Sequence, residues 1–225
     1  LPASTYFTFE IDGARVGFYE EHDESVPAED RAIPRDQEAR VLRMCAWISL
    51  DGAQHLNRFA IRYVGDEIVA YLDATGAWVS LGPGAAAGTM TGAAASAATS
   101  ATSNAASNAA SNATASAESG ATASATAYPS AALPILARRM RHGETFSYWQ
   151  IDESLGRVVA LATLRRDGNT VVETVDDEPR RSVVLRGRSV VAYGWGGSAL
   201  SRRVASRSEA VRGTAFGVRQ NGEPS

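Results

Sequence analysis

Lysine is absent from this chain of 225 residues, and cysteine occurs once. All 22 basic side chains are therefore arginine, set against 25 acidic ones for a net charge of −3. So small an imbalance makes no electrostatic case for nucleic acid or an acidic membrane surface. With Ala, Gly and Val also abundant, arginine without lysine reads as the coding bias of a GC-rich genome. One cysteine excludes an internal disulfide, and Cys45, inside VLRMCAWISL, reads as a buried structural thiol. No run reaches the ~18 apolar residues of a membrane-spanning helix. The three histidines, His22, His55 and His142, share no metal-ligand spacing.

Between Gly84 and Ala127 large side chains and charge are scarce too. Met90 is the tract's only large side chain and Glu118 its only charge. A tract of Ala, Ser, Thr, Gly and Asn cannot offset its own ordering entropy with apolar burial. Linker, Ala-rich helix, glycan-bearing stalk (Asn112-Ala113-Thr114 is a formal sequon) and docking segment all remain open readings. Removing the tract leaves roughly 180 residues, about one domain. Residues 1–83 read as the first half of one β domain, 84–127 as an insert, 128–219 as a helix and second half, and 220–225 as a tail.

The flanks are rich in strand patterns. Thr5–Asp12 alternates, with Phe7, Phe9 and Ile11 on one face, and Asp12-Gly13 signals a hairpin into Arg15–Glu21. His22–Gln37, polar and carrying Pro27 and Pro34, reads as a loop. Arg40–Leu50, Asp51-Gly52 and His55–Val64 make a second hairpin, with Glu67–Asp73 and Ala77–Leu81 to follow. Tyr128–His142 contains the one expected helix, with Pro134 suited to its first turn. Glu144–Asp152, Gly156–Arg165, Thr170–Val175, Arg181–Arg186, Ser189–Trp195, Leu200–Ser206 and Glu209–Phe216 read as further strands. The expected fold is mainly β: one curled antiparallel sheet or unclosed barrel with a single short helix.

No catalytic residue is assigned. The EEHDE stretch around His22 reads as a solvated rim, since neighbours on a strand face opposite ways. GWGGS, Gly194–Ser198, lacks the strand-to-helix elbow of a serine nucleophile and reads as a turn. No metal or cofactor is expected. The aromatic content is more informative, because one face of a curled sheet must point inward. That interior is either core or a groove for an apolar ligand, with Phe7, Phe9, Trp47, Phe59, Trp78, Phe146 and Trp149 as candidate lining residues. In the tract, Asn104, Asn108 and Asn112 of the SNA repeats are candidate partner-binding residues.

FEIDGARVG, Phe9–Gly17, resembles the opening hairpin of bacterial envelope proteins with the LolA/LolB-like half-barrel fold. YPSAALPILARRMRHGETFSYWQID, Tyr128–Asp152, resembles the segment that begins their second half. The resemblance implies an exported protein with a concave apolar face that carries acyl chains or serves as a module of an envelope assembly. The tract has no counterpart there, and no catalytic residue is carried over. The sequence opens at Leu1, which suggests a mature end left by signal-peptide removal. The expectation is a non-enzymatic accessory subunit of a bacterial periplasmic or cell-surface assembly, partnered by other envelope proteins. The alternatives are a periplasmic carrier of lipid or another apolar ligand and, third, an enzyme of unknown class. If the tract docks a partner, deleting Gly84–Ala127 will abolish co-purification of that partner; unchanged co-purification would contradict this role.

Overall fold

The computed structural model describes residues 3–26, 38–81 and 126–217. The tract up to residue 125, with Asn104, Asn108 and Asn112, lies outside the described residues, as does the tail. Six strands precede the tract: β1 (Ala3–Ile11), β2 (Ala14–Val26), β3 (Ala39–Leu50), β4 (Ala53–Val64), β5 (Glu67–Leu72) and β6 (Trp78–Ser80). After it come β7 (Ala127–Pro129), a 3-10 turn (Ser130–Ala132) and helix α1 (Leu133–Arg139). Strands β8 (Thr145–Asp152), β9 (Arg157–Asp167), β10 (Thr170–Val175), β11 (Glu178–Arg186), β12 (Ser189–Gly194) and β13 (Leu200–Val204) follow, then helix α2 (Arg207–Val211).

All thirteen strands form one curled, unclosed sheet in the order β6-β5-β4-β3-β2-β1-β13-β12-β11-β10-β9-β8-β7. The two meanders join at the sheet's centre, where β1 pairs antiparallel with β13. Its two edges are β6 and β7, which are the strands that residues 82–125 connect. Both attachments lie toward the end of the sheet where α1 finishes.

The hairpins follow from local chemistry. Asp12 and Gly13 have φ of 51° and 76°, and Asp51 and Gly52 have 50° and 79°. Positive φ at both central residues gives the turn whose twist matches the strands it joins. At one point the pairing demands glycine for space: a Cβ on Gly17 would lie 2.1 Å from the Trp47 carbonyl oxygen.

The concave face carries the main core. Phe7, Tyr19, Leu42, Met44, Ile61 and Tyr63 from the first half meet Tyr148, Leu164, Val183, Leu185 and Tyr193 from the second. Helix α1 and its 3-10 turn lie between them, with Leu133, Ile135, Leu136 and Ala137 buried. A seven-residue helix is too short to persist alone, so packing sustains it. Pro134 sits in its first turn, where no intrahelical donor is lost.

Three local expectations are revised. Residues His22–Val26 continue strand β2 rather than opening a loop, because they pair with Ala39–Arg43 of β3. Strand β7 runs parallel to β8, the only parallel pairing among the described strands. A strand at Glu209–Phe216 is replaced by α2 and turns. There the Ser206 hydroxyl accepts from the Glu209 amide and the Glu209 carboxylate accepts from the Ala205 amide. This reciprocal capping starts a helix, and its Ala210 and Val211 then dock on Phe18 at the convex face. Replacing Gly17 with Ala will cost about 1–3 kcal/mol in urea denaturation, because strands β2 and β3 must separate to admit a methyl group; an unchanged midpoint would contradict the close approach.

Candidate functional site

Strand alternation decides which side chains can form a site on the concave face. Phe7 and Phe9 share that face of β1, Tyr19 and Glu21 that of β2, and Met44, Ala46 and Ile48 that of β3. Tyr193 and Trp195 approach from the second half, their rings 5.2 Å apart and nearly stacked. Between these residues and the start of α1 lies a cavity of about 250 Å³. Phe9, Tyr19, Met44, Phe59, Leu133 and Trp195 form most of its apolar wall, and Asn57, Ser130 and Arg181 supply its polar groups.

Arg181 is the one charged side chain in this wall, and each of its three guanidinium nitrogens makes a hydrogen bond. Its Nε and Nη2 donate to the two Glu173 carboxylate oxygens at 2.5 and 2.7 Å, and its Nη1 donates to the Ser130 carbonyl at 2.9 Å. The Tyr148 hydroxyl donates to the same carboxylate at 2.5 Å. Glu173 is 1% exposed, so the pair is buried with its hydrogen bonds satisfied. Burial, reinforced by the Glu173 charge, pushes the Tyr148 hydroxyl well above its ordinary value, so it remains a donor. The neighbouring Ser130 hydroxyl and Ala131 amide donate to Glu153 at 2.7 Å each. The 3-10 turn is thus fixed to β10, β11 and the β8–β9 turn, and the cavity wall is neutral overall.

Farther along the same face the chemistry changes. Tyr193 donates its hydroxyl to Glu21, which is buried beside Tyr19. Burial raises the Glu21 carboxyl above the usual carboxylate range, against the opposing pull of Tyr193 and Arg138. Beyond it Asp23 accepts from Arg40 Nε at 3.0 Å and from the Tyr63 hydroxyl at 2.8 Å. The concave face is therefore apolar where α1 begins and charged where it ends.

The expected lining residues divide. Phe9 and Phe59 border the cavity. Phe7 is on the same face but fully buried behind it, against Tyr19 and Tyr193. Phe146 is also concave but lies under Arg139 beside Tyr128 and Tyr148, away from the cavity. Trp47 is on the convex face, stacked on Phe18 at 4.6 Å and covered by α2. Trp78 faces the same side as Arg62, whose guanidinium lies 4.9 Å from its ring. Trp149 is convex and 43% exposed. Tyr19, Met44, Tyr193 and Arg181 belong to the site without having been singled out for it; the alternation that places Phe9 is the signal that reaches Tyr19 and Tyr193.

Among the described residues no group of three or more His, Cys, Asp or Glu is placed to hold a metal ion. No helix among them is long and apolar enough to cross a membrane. Replacing Glu173 with Ala will strand the Arg181 charge and cost about 3–5 kcal/mol in chemical denaturation, against about 1 kcal/mol for Tyr148→Phe; equal effects would contradict the ranking. Comparison with protein-family models, with curated proteins and with solved structures finds no match.

Proposed function

We propose that this protein is a non-enzymatic binding module, or carrier, for one apolar chain or small apolar molecule held between α1 and the concave sheet face. The observation that carries this reading is the aromatic-walled cavity of about 250 Å³. Its volume falls just below the range of about 300 to 1,000 Å³ of ligand pockets, and suits a single chain. Each methylene moved from water into such a wall contributes about 0.8 kcal/mol. Because Glu173 neutralises Arg181 and each guanidinium nitrogen already donates one hydrogen bond, the wall favours an uncharged tail over an ionised group. The half-barrel resemblance agrees with this reading and extends it to an exported protein of the bacterial envelope.

A second reading, an accessory subunit of an envelope assembly, is favoured by the convex face. Trp149 and Leu161 sit directly opposite one another on β8 and β9, 43% and 46% exposed. Leu155 and Val159 are exposed nearby in sequence. The two readings use opposite faces and separate experimentally. Phe59→Asp will weaken binding of decanol at least about tenfold, since one buried charge in an apolar wall costs more than 1.4 kcal/mol. Trp149→Ser will leave decanol binding unchanged and release a co-purifying partner. Native mass spectrometry and isothermal titration calorimetry read both; decanol affinity unaffected by Phe59→Asp would sink the carrier reading.

A further inference from the structure

We propose that a second pocket, at the end of the concave face where α1 finishes, binds a phosphate-type oxyanion. This pocket goes beyond the apolar cavity and does not depend on it. It has a volume of about 280 Å³ and is lined by Arg40, Arg138, Arg188 and Arg203, with Thr5, Glu21, Asp23, Ser189 and Val190. The four guanidiniums come from four separate places in the fold: β3, α1, the β11–β12 turn and β13. The four guanidiniums outnumber the two acids of the lining, Glu21 and Asp23, so the wall suits an anion.

The acids are already engaged. Asp23 is taken by Arg40 and the Tyr63 hydroxyl. Glu21 accepts from Tyr193, and burial shifts its carboxyl toward the neutral form. Arg40 is held by Asp23, and Arg188 Nη2 donates to the Asp66 carboxylate at 2.6 Å, so Arg138 and Arg203 are the less engaged pair. Arg138 approaches Asp23 only to 3.9 Å, and its buried Nε has no hydrogen-bond acceptor among the described residues. Arg203 lies opposite Phe7, on the concave side of β13, and makes no salt bridge among the described residues. Arg188 and Ser189 are exposed, so the pocket is open to solvent. Guanidiniums converging from several directions suit a tetrahedral oxyanion, each oxygen of which can accept charge-assisted bonds.

The oxyanion could be free phosphate or the head of an amphiphile whose tail enters the apolar cavity. Calorimetry with inorganic phosphate, decyl phosphate and decanol separates these sources. Wild-type protein will show saturable phosphate or decyl phosphate binding. Arg203→Gln, an exposed position with little folding risk, will weaken it about tenfold or more, the size of one lost charge-assisted bond. Arg138→Gln will do the same, and Arg212→Gln, just after α2, will not. Phosphate binding that survives Phe59→Asp marks a free-ion site. Decyl phosphate binding that responds to both Arg203→Gln and Phe59→Asp marks a headgroup site. If neither phosphate nor decyl phosphate binds saturably, or if Arg203→Gln leaves both unaltered, the proposal is overturned, whatever decanol shows.

Discussion

The fork between Arg181 and Glu173 is the interaction on which the concave face depends. A curled sheet of thirteen strands must cover its inner apolar surface, and the covering here is a seven-residue helix with a 3-10 turn before it. So short a helix contributes little order of its own. Arg181 ties the Ser130 carbonyl to β10 and β11, while Glu153 holds the next amide from the β8–β9 turn. The start of α1 is thereby fixed at a set height above the sheet. The same tie neutralises the one charged group in the cavity wall, so support of the fold and the polarity of the site have one cause.

Along α1 the covered face passes from apolar to charged. Leu133 and Pro134 border the cavity near the helix start, whereas Arg138, one turn on, borders the arginine-lined pocket. On β2 the same change runs from Tyr19 to Glu21 and Asp23. The tilted and edge-on ring contacts among Phe7, Tyr19 and Tyr193 form the layer between them. The open edges β6 and β7 are joined by the low-complexity tract, whose attachments lie at the charged end.

Much of this architecture is legible in the sequence because it rests on local rules. Asp-Gly pairs need positive φ and mark hairpins; alternation around Phe7 and Phe9 places them on one face; Pro134 opens the expected helix. Other features are set by partners distant in the chain. Strand β3 is apolar on both faces, so alternation separates Trp47 from Met44 and Ala46 without saying which faces inward. The docking of Ala210 and Val211 on Phe18 makes Trp47's face the convex one. Trp78 and Trp149 are misplaced for the same reason: an aromatic at an inner or outer position has the same local pattern. Arg181 and Glu173, eight residues apart on paired strands, become partners only through the shifted β10–β11 register. The α2 cap at Ser206 and Glu209 was readable as a capping pair, and the strand-like apolar content of the segment obscured it.

The central claim is that the space beneath the start of α1 takes up an apolar chain. Met44 lines that space, whereas Met140 lies buried just beyond the far end of the helix. Methyl-labelled methionine therefore reports the two ends separately in solution. On titration with decanol the account predicts a saturable shift of the Met44 methyl resonance with Met140 little changed. A Met44 resonance that stays fixed while decanol is added to saturation would contradict it.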